Sequence, residues 1–362
     1  MAEPLKYFFN PEFVSGLASG IKEVHAPFDA IGFQQAVLDD QWEQRELKER
    51  MRHITVCLGA FLPHEYPEAV GILMKMAHEL SDFPAMVLSD FVEIYGLDHL
   101  DLSLDALELF TQSASAEFAI RPFIVKYEKE TMGRMLDWSK HENHHLRRLA
   151  SEGCRPRLPW AMALGIYKKN PALILPILEN LKDDPSEYVR KSVANNLNDI
   201  SKDNPETALK LGQAWYGKSE RTNWIVKHGL RTLLKNGNDT ALKIFGFKEK
   251  VNAAVSGLSL SDEQVQMGNT LHFSFDISNL DRSSSLLKVG FVVGYMKANG
   301  KVSEKIFHIT EKEFGAGQRV NFHKKLSFKD LTTRKHYPGG HYLSIIINGV
   351  PMARGEFELT TA

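Results

Sequence analysis

Two stretches of this 362-residue chain bring acids, bases and aromatics close together. The first is His141-Glu142-Asn143-His144-His145, which matches H-E-x-x-H. On one helix His141 and His145 would share a face and hold a zinc ion, with Glu142 as general base. The string begins polar and runs into Arg147-Arg148, and no third-ligand motif follows. Surface histidines explain it with less machinery. The second stretch is His145-Leu-Arg-Arg-Leu-Ala-Ser-Glu-Gly-Cys-Arg-Pro-Arg-Leu-Pro-Trp160. Here Arg148 and Glu152 stand four apart on one helix face, Gly153 ends the helix, and a loop presents Arg155, Arg157 and Trp160. Two readings stay open at this point: a converging polar site, or an i,i+4 ion pair worth a few tenths of a kcal/mol with Trp160 as a core residue. A third segment, Ser115-Ala-Glu-Phe-Ala-Ile-Arg-Pro-Phe123, adds Glu117 and Arg121.

The elements that must position these residues are helical up to about residue 247. The clearest unit begins Asp184-Pro185-Ser186-Glu187, read as an N-cap, a proline at the first helical position and a capping box. Val189, Val193, Ala194, Leu197 and Ile200 then mark an apolar face. Val226, Leu230, Leu233 and Leu234 repeat the pattern around 37 residues later, with Gly237 as a C-cap, and Leu146 to Ala150 is an earlier relative. Helix pairs recurring at about 40 residues are the mark of a HEAT-like helical-repeat solenoid. Arg147-Arg148, Arg190-Lys191 and Lys227-His228 fall at corresponding places in these units. Stacking would line them up as a cationic strip for a phosphodiester backbone. The alternative is a structural cation in each repeat, paired with an Asp of the preceding turn.

Beyond residue 248 the period changes to two. Strands are expected around 272–277, 288–296, 305–309, 319–322, 341–347 and 355–359, divided by Asn-Gly and Gly-rich turns. Six or seven short strands read as a small β-sandwich of immunoglobulin-like size. The chain is therefore expected to be mainly α, with a helical domain over 1–247 and an Ig-like domain over 248–362.

Net charge is −1. That sum conceals a polarity: residues 1–120 carry 7 Lys and Arg against 20 Asp and Glu, and residues 121–235 carry 21 against 13. An acidic third joined to a basic remainder suits a polyanion partner for the basic part. No apolar run is long enough for a transmembrane helix, and no leader pattern opens the chain. Two distant cysteines, Cys57 and Cys154, fit a reduced compartment. The expected setting is bacterial cytoplasm, beside the chromosomal DNA.

The Glu-Phe-Ala-Ile-Arg-Pro-Phe and Arg-Arg-Leu-Ala-Ser-Glu-Gly-Cys-Arg-Pro-Arg-Leu-Pro-Trp strings resemble the AlkC branch of the HEAT-like DNA alkylation-repair glycosylases. The resemblance spans the helical part, and the β-rich tail is similar to the Ig-like domain that some members carry. It implies release of cationic N-alkylated bases, 3-methyladenine and 3-methylcytosine, from duplex DNA, without metal or organic cofactor. It implies that Glu117 and Glu152 are the active-site carboxylates, that Trp160 is the aromatic beside the lesion sugar, and that Arg148 contacts DNA near the lesion. Arg121, Arg147, Arg155, Arg157, Arg190, Lys191 and Lys227 join Arg148 as expected DNA contacts. A monomer suffices, and the Ig-like domain is expected to clamp the duplex through Lys324-Lys325 and Arg334-Lys335-His336. Two competing functions remain at this level: a noncatalytic HEAT-repeat DNA-binding or scaffold protein, and a zinc hydrolase built on His141, Glu142 and His145.

Overall fold

A computed structural model describes residues 4–248, 251–330 and 335–361. Arg334 of the expected basic loop lies outside the described residues. The chain divides into two compact units, Met1–Asn204 with Gly217–Gly229, and Pro205–Tyr216 with Leu230–Ala362. Secondary structure changes from helix to strand between Ile244 and Ala253. Among the described residues no helix is long and apolar enough to cross a membrane.

The first unit is built by stacking of helices at repeat distance. Helix His144–Gly153 packs on Glu187–Asp203, which packs on Glu220–Gly229. Each presents an apolar stripe inward: Leu146, Leu149 and Ala150 on the first, then Val189, Val193 and Leu197, then Ile225 and Val226. Polar bonds tie the same neighbours. Ser151 and Ser192 hydroxyls meet at 2.6 Å, Asn196 Nδ2 donates to the Ser151 carbonyl at 2.8 Å, and Thr222 Oγ1 donates to the Lys182 carbonyl at 3.0 Å. Partners in these bonds lie 40 to 45 residues apart, the period of the repeat itself.

The capping scheme differs from expectation. Ser186, not Asp184, is the N-cap of Glu187–Asp203, and its side chain makes no cap bond. Asp184 instead accepts from Ser186 N at 2.8 Å, closing an Asx turn before the helix.

The second unit holds helices Pro205–Trp215, Arg231–Lys235 and Asp239–Ile244 and, among the described residues, eight strands: β1 Ala253–Leu260, β2 Gln264–Gln266, β3 Thr270–Asn279, β4 Ser285–Met296, β5 Val302–Phe314, β6 Arg319–Ser327, β7 Gly339–Ile347 and β8 Val350–Thr360. One sheet runs β1-β3-β6 and the other β2-β8-β7-β4-β5, antiparallel except for β2 with β8. Alternating residues of the two sheets, Phe273, Phe275 and Ile277 with Val289, Phe291, Val293 and Ile345, fill the core between them. The sequence pattern had missed β1 and β2. In β1 the alternation breaks at a register shift between Ser256 and Ser259, with Gly257 at φ 62°.

The basic pairs of this domain do not sit as expected. Lys324 and Lys325 stand inside β6, paired with Phe273 and His272, and not in a turn. His336 is buried against Tyr295 and Phe328, because an imidazole among aromatic rings is core and not rim.

A tight turn joins β7 to β8. Asn348 and Gly349 both have positive φ, 48° and 83°, the requirement of a two-residue hairpin loop. A Cβ on Gly349 would also lie 2.4 Å from Gly237 Cα. Gly349→Ala is therefore expected to destabilise the protein by about 2–3 kcal/mol in urea unfolding. Gly300→Ala, with φ 74° and open space around it, should cost about 1 kcal/mol at most.

Candidate active site

Helix His144–Gly153 begins where the Asn143 side chain accepts from His145 N at 2.9 Å. Its buried stripe turns Arg148 and Glu152 toward the turn that precedes helix Ile120–Lys126. In that turn Ser115 Oγ donates to Glu117 Oε2 at 2.7 Å. Arg148 Nη1 donates to both: to Ser115 Oγ at 2.5 Å and to Glu117 Oε2. Its Nη2 lies 3.6 Å from Glu152 Oε1. The guanidinium also stacks over the Tyr188 ring, 4.6 Å from its centroid. Burial works against the Arg148 charge, but Glu117 and Glu152 more than offset it and hold the group above its usual range.

Glu152 is held from its other side by Arg155, whose Nη1 donates to Oε1 at 2.7 Å while its Nε donates to Asp199 at 2.9 Å. Arg155 is thus part of a buried ion network and not the DNA contact expected of it. Arg121 is corrected more strongly, because no part of it reaches solvent. Its Nη1 donates to the carbonyls of Gly153 at 2.7 Å and Arg155 at 2.9 Å, and its Nε and Nη2 donate to Met162 O at 2.8 and 2.6 Å. Burial draws its pKa down to about 10, so it stays charged at neutral pH and clamps the loop carrying Trp160.

Trp160 is 63% exposed, which removes the core reading, and it has φ 64°. A non-glycine residue in that region is held there by its surroundings. Lys48 Nζ donates to the Trp160 carbonyl at 2.6 Å and lies over the Phe118 ring, 4.8 Å from its centroid. Glu117, Phe118, His145, Arg148, Trp160 and Tyr188 line one cleft of about 380 Å³. Lys48, Tyr188 and Asp199 went unnoticed in the sequence. Tyr188 alone left a trace there, as an aromatic on the polar side of an amphipathic helix.

Arg147 and Arg190 resolve as structural cations, a second correction. Arg147 Nη1 donates to the carbonyls six and five residues before it, His141 and Glu142, at 3.0 and 2.6 Å. Arg190 Nη1 does the same to Asp184 and Pro185 at 2.9 and 2.7 Å. Arg147 also grips Asp184, at 2.6 and 3.1 Å. In both arginines Nη1 closes the loop that precedes the helix. Arg157 is exposed and bonded to Asp203 at 2.7 and 2.5 Å. Lys191 is exposed and paired with Glu187 at 2.7 Å, and Lys227 is exposed.

The same frame accounts for H-E-x-x-H. His141 Nδ1 accepts from Asn143 N at 2.9 Å, as Asp184 accepts from Ser186 N one repeat on. His141 precedes the helix, so it does not share a helical face with His145. Among the described residues no group of three or more His, Cys, Asp or Glu is placed to hold a metal ion.

Residues 111–226 match the model of the family "DNA alkylation repair enzyme", and residues 254–361 match that of "Uncharacterised protein YhaZ, C-terminal Ig-like domain". The chain is 42% identical to Uncharacterized protein YhaZ of Bacillus subtilis (strain 168) over 345 residues, 95% of this chain and 96% of that protein. It is also similar to the Pseudomonas fluorescens alkylpurine DNA glycosylase AlkC bound to DNA containing an abasic site analog. That likeness has a TM-score of 0.93 and 37% identity, and covers 99% of this chain and 100% of the other.

The strain at Trp160 gives a test that separates stability from activity. Trp160→Gly removes an exposed side chain from a conformation that suits glycine. Urea unfolding is expected to show stability unchanged or raised by up to about 1 kcal/mol. Whatever reaction the cleft carries should slow in the same variant. A large loss of stability would mean that the indole is a packing residue.

Proposed function

The chain belongs to the AlkC branch of the DNA alkylation-repair glycosylases, and from that premise we propose that it releases cationic N-alkylated bases, 3-methyladenine and 3-methylcytosine, from duplex DNA by hydrolysis of the N-glycosidic bond. The observation that carries this reading is the cleft in which Glu117 and Arg148 stand beside the exposed indole of Trp160, with Arg148 linking Glu117 to the buried Glu152 behind it.

A base methylated at N3 already bears positive charge, so it leaves without a strong general acid. Charge then develops on the deoxyribose, as in other oxocarbenium-like glycosyl cleavages. A fixed carboxylate beside the sugar stabilises that charge and orients the attacking water; a preorganised contact of this kind is worth about 10²–10³ in rate. Arg148 and Ser115 bond to Oε2 of Glu117, and Arg155 and Arg148 approach Oε1 of Glu152. Each carboxylate thereby has a fixed orientation, and its second oxygen is the one assigned to water or sugar. The Trp160 face adds cation–π stabilisation of roughly 0.5–2 kcal/mol. Neutral bases gain little from this site, since their leaving groups still require a proton.

The enzyme works as a monomer in the cytoplasm, with its glycosylase domain over 1–247 and an Ig-like clamp over 248–362. The clamp's contacts are assigned to β6, where Arg319, His323 and Lys325 are exposed at alternate positions of an edge strand. Cations on an edge strand also block sheet-to-sheet aggregation, so the clamp role needs its own test.

Base release from methylated duplex DNA is expected to persist in EDTA. Glu117→Gln and Glu152→Gln should each slow single-turnover release by about 10²-fold, with DNA affinity unchanged or tighter because a carboxylate near phosphates is gone. Undiminished release in a folded double variant would overturn the assignment. For the clamp, Lys325→Glu should weaken binding and flatten its salt dependence by about one phosphate, a change of about 0.9 in the log–log slope. An unchanged slope would return β6 to a purely protective role.

A further inference from the structure

The cleft has another carboxylate that the reading above does not use. Asp82 lines it together with Glu117, Arg148 and Trp160. Its backbone has φ 64° and ψ −169°, a region essentially reserved for glycine. Three non-glycine residues have positive φ among the described residues: Asp82, Trp160 and Asn348. Asn348 stands in a two-residue hairpin turn, where asparagine is at home. The other two line the same cleft.

The strain at Asp82 is imposed from the residues that follow. Phe83 packs against Phe8 and Phe9 with ring centroids at 6.3 and 5.9 Å, and Pro84 and Ala85 are buried. With that side anchored, the chain turns through Asp82 and leaves its side chain exposed. Glycine would make the turn at less cost, so the turn does not explain the aspartate. Electrostatics does. Glu117 has its charge matched by Arg148, and Glu152 by Arg148 and Arg155. The bond recorded for the Asp82 side chain is a weak one, accepted from Ser81 Oγ at 3.3 Å. Two carboxylates line the cleft, Glu117 and Asp82, and among the described residues Asp82 is the one that no arginine neutralises.

We infer that Asp82 is a specificity-determining residue: its carboxylate faces the cleft to favour a positively charged base over a neutral one. This inference rests on the glycosylase reading, since it concerns the substrate of that same site. A lone carboxylate near DNA repels phosphate, and the group in such a cleft that it attracts is a cationic base. It also divides the labour. Glu117 and Glu152 are oriented by arginines for the sugar, and Asp82 reads the base.

The test uses the full-length protein and two duplexes that differ only in one base, 3-methylcytosine or cytosine, at neutral pH where the methylated base is a cation. Wild type is expected to bind the methylated duplex more tightly. Asp82→Asn should lower that preference by about fivefold, the size of one partly screened charge contact, while affinity for the unmethylated duplex holds or rises. Asp82→Glu should restore part of the preference. Asp82→Gly suits the local backbone, so it provides a folded control that should also lose the preference while melting at or above wild type. Preference retained in both Asp82→Asn and Asp82→Gly, with wild-type base release intact, overturns the role of Asp82 and leaves the glycosylase reading standing. Equal weakening on both duplexes marks a structural residue and overturns it too. A wild type that neither prefers the methylated duplex nor releases its base overturns both readings together.

Discussion

The arrangement of the first unit depends on one constraint: a carboxylate removed from water must be matched by a cation with good hydrogen-bond geometry. Glu152 is 5% exposed and Asp199 1%. Their charges are met by Arg155, and Arg148 then links Glu152 to Glu117. This chain of alternating charge runs through three separate segments, around residues 117, 148–155 and 199. A shift of any of them breaks an ion pair of this network, and removing a partner from a buried charge costs several kcal/mol. The catalytic role proposed for Glu117 and Glu152 requires such fixity, because orientation and electrostatic preorganisation are what a protein contributes when the leaving group is already charged.

The loop after Gly153 is shaped by the same economy of donors. Arg121 collects three backbone carbonyls in the interior, and Lys48 takes a fourth, that of Trp160, at the surface. Together they hold a loop whose polar backbone would otherwise go unsatisfied. That over-determination lets Trp160 persist at φ 64° with its indole outside. Strain at the indole is thus maintained by residues far from it in sequence.

Much of this was legible in the sequence, and the failures have a common cause. The i,i+4 relation of Arg148 and Glu152, the helix end at Gly153 and the switch from period 3.6 to period 2 all depend on local spacing, and local spacing is what a sequence displays. Arg121 and Arg155 were misread because a buried arginine and a phosphate-binding arginine look alike until burial is known, and the half-buried Arg147 and Arg190 because bonds to the protein and bonds to phosphate use the same donors. For Arg147 and Arg190 a signal was present. His141 to Arg147 and Asp184 to Arg190 are the same seven-residue frame, with the N-cap at its third place, Asn143 or Ser186. Read in that frame, the zinc-like string is one repeat of a loop closure. The pairing of Lys48 with Trp160, 112 residues apart, had no local trace.

The charge polarity of the chain must therefore be read through the fold. Residues 121–235 carry 21 basic side chains against 13 acidic ones, which counts as a strongly cationic segment. Six of the arginines in it, Arg121, Arg147, Arg148, Arg155, Arg157 and Arg190, are bonded to carbonyls or carboxylates of the protein. An N–H donor so engaged meets phosphate only by exchanging one partner for another, and its net contribution to binding shrinks by the energy of the bond it gives up. The paired arginines then set geometry more than they supply salt-dependent attraction to a polyanion. Sequence charge reports how much cation a segment holds; burial and pairing decide how much of it a polyanion meets.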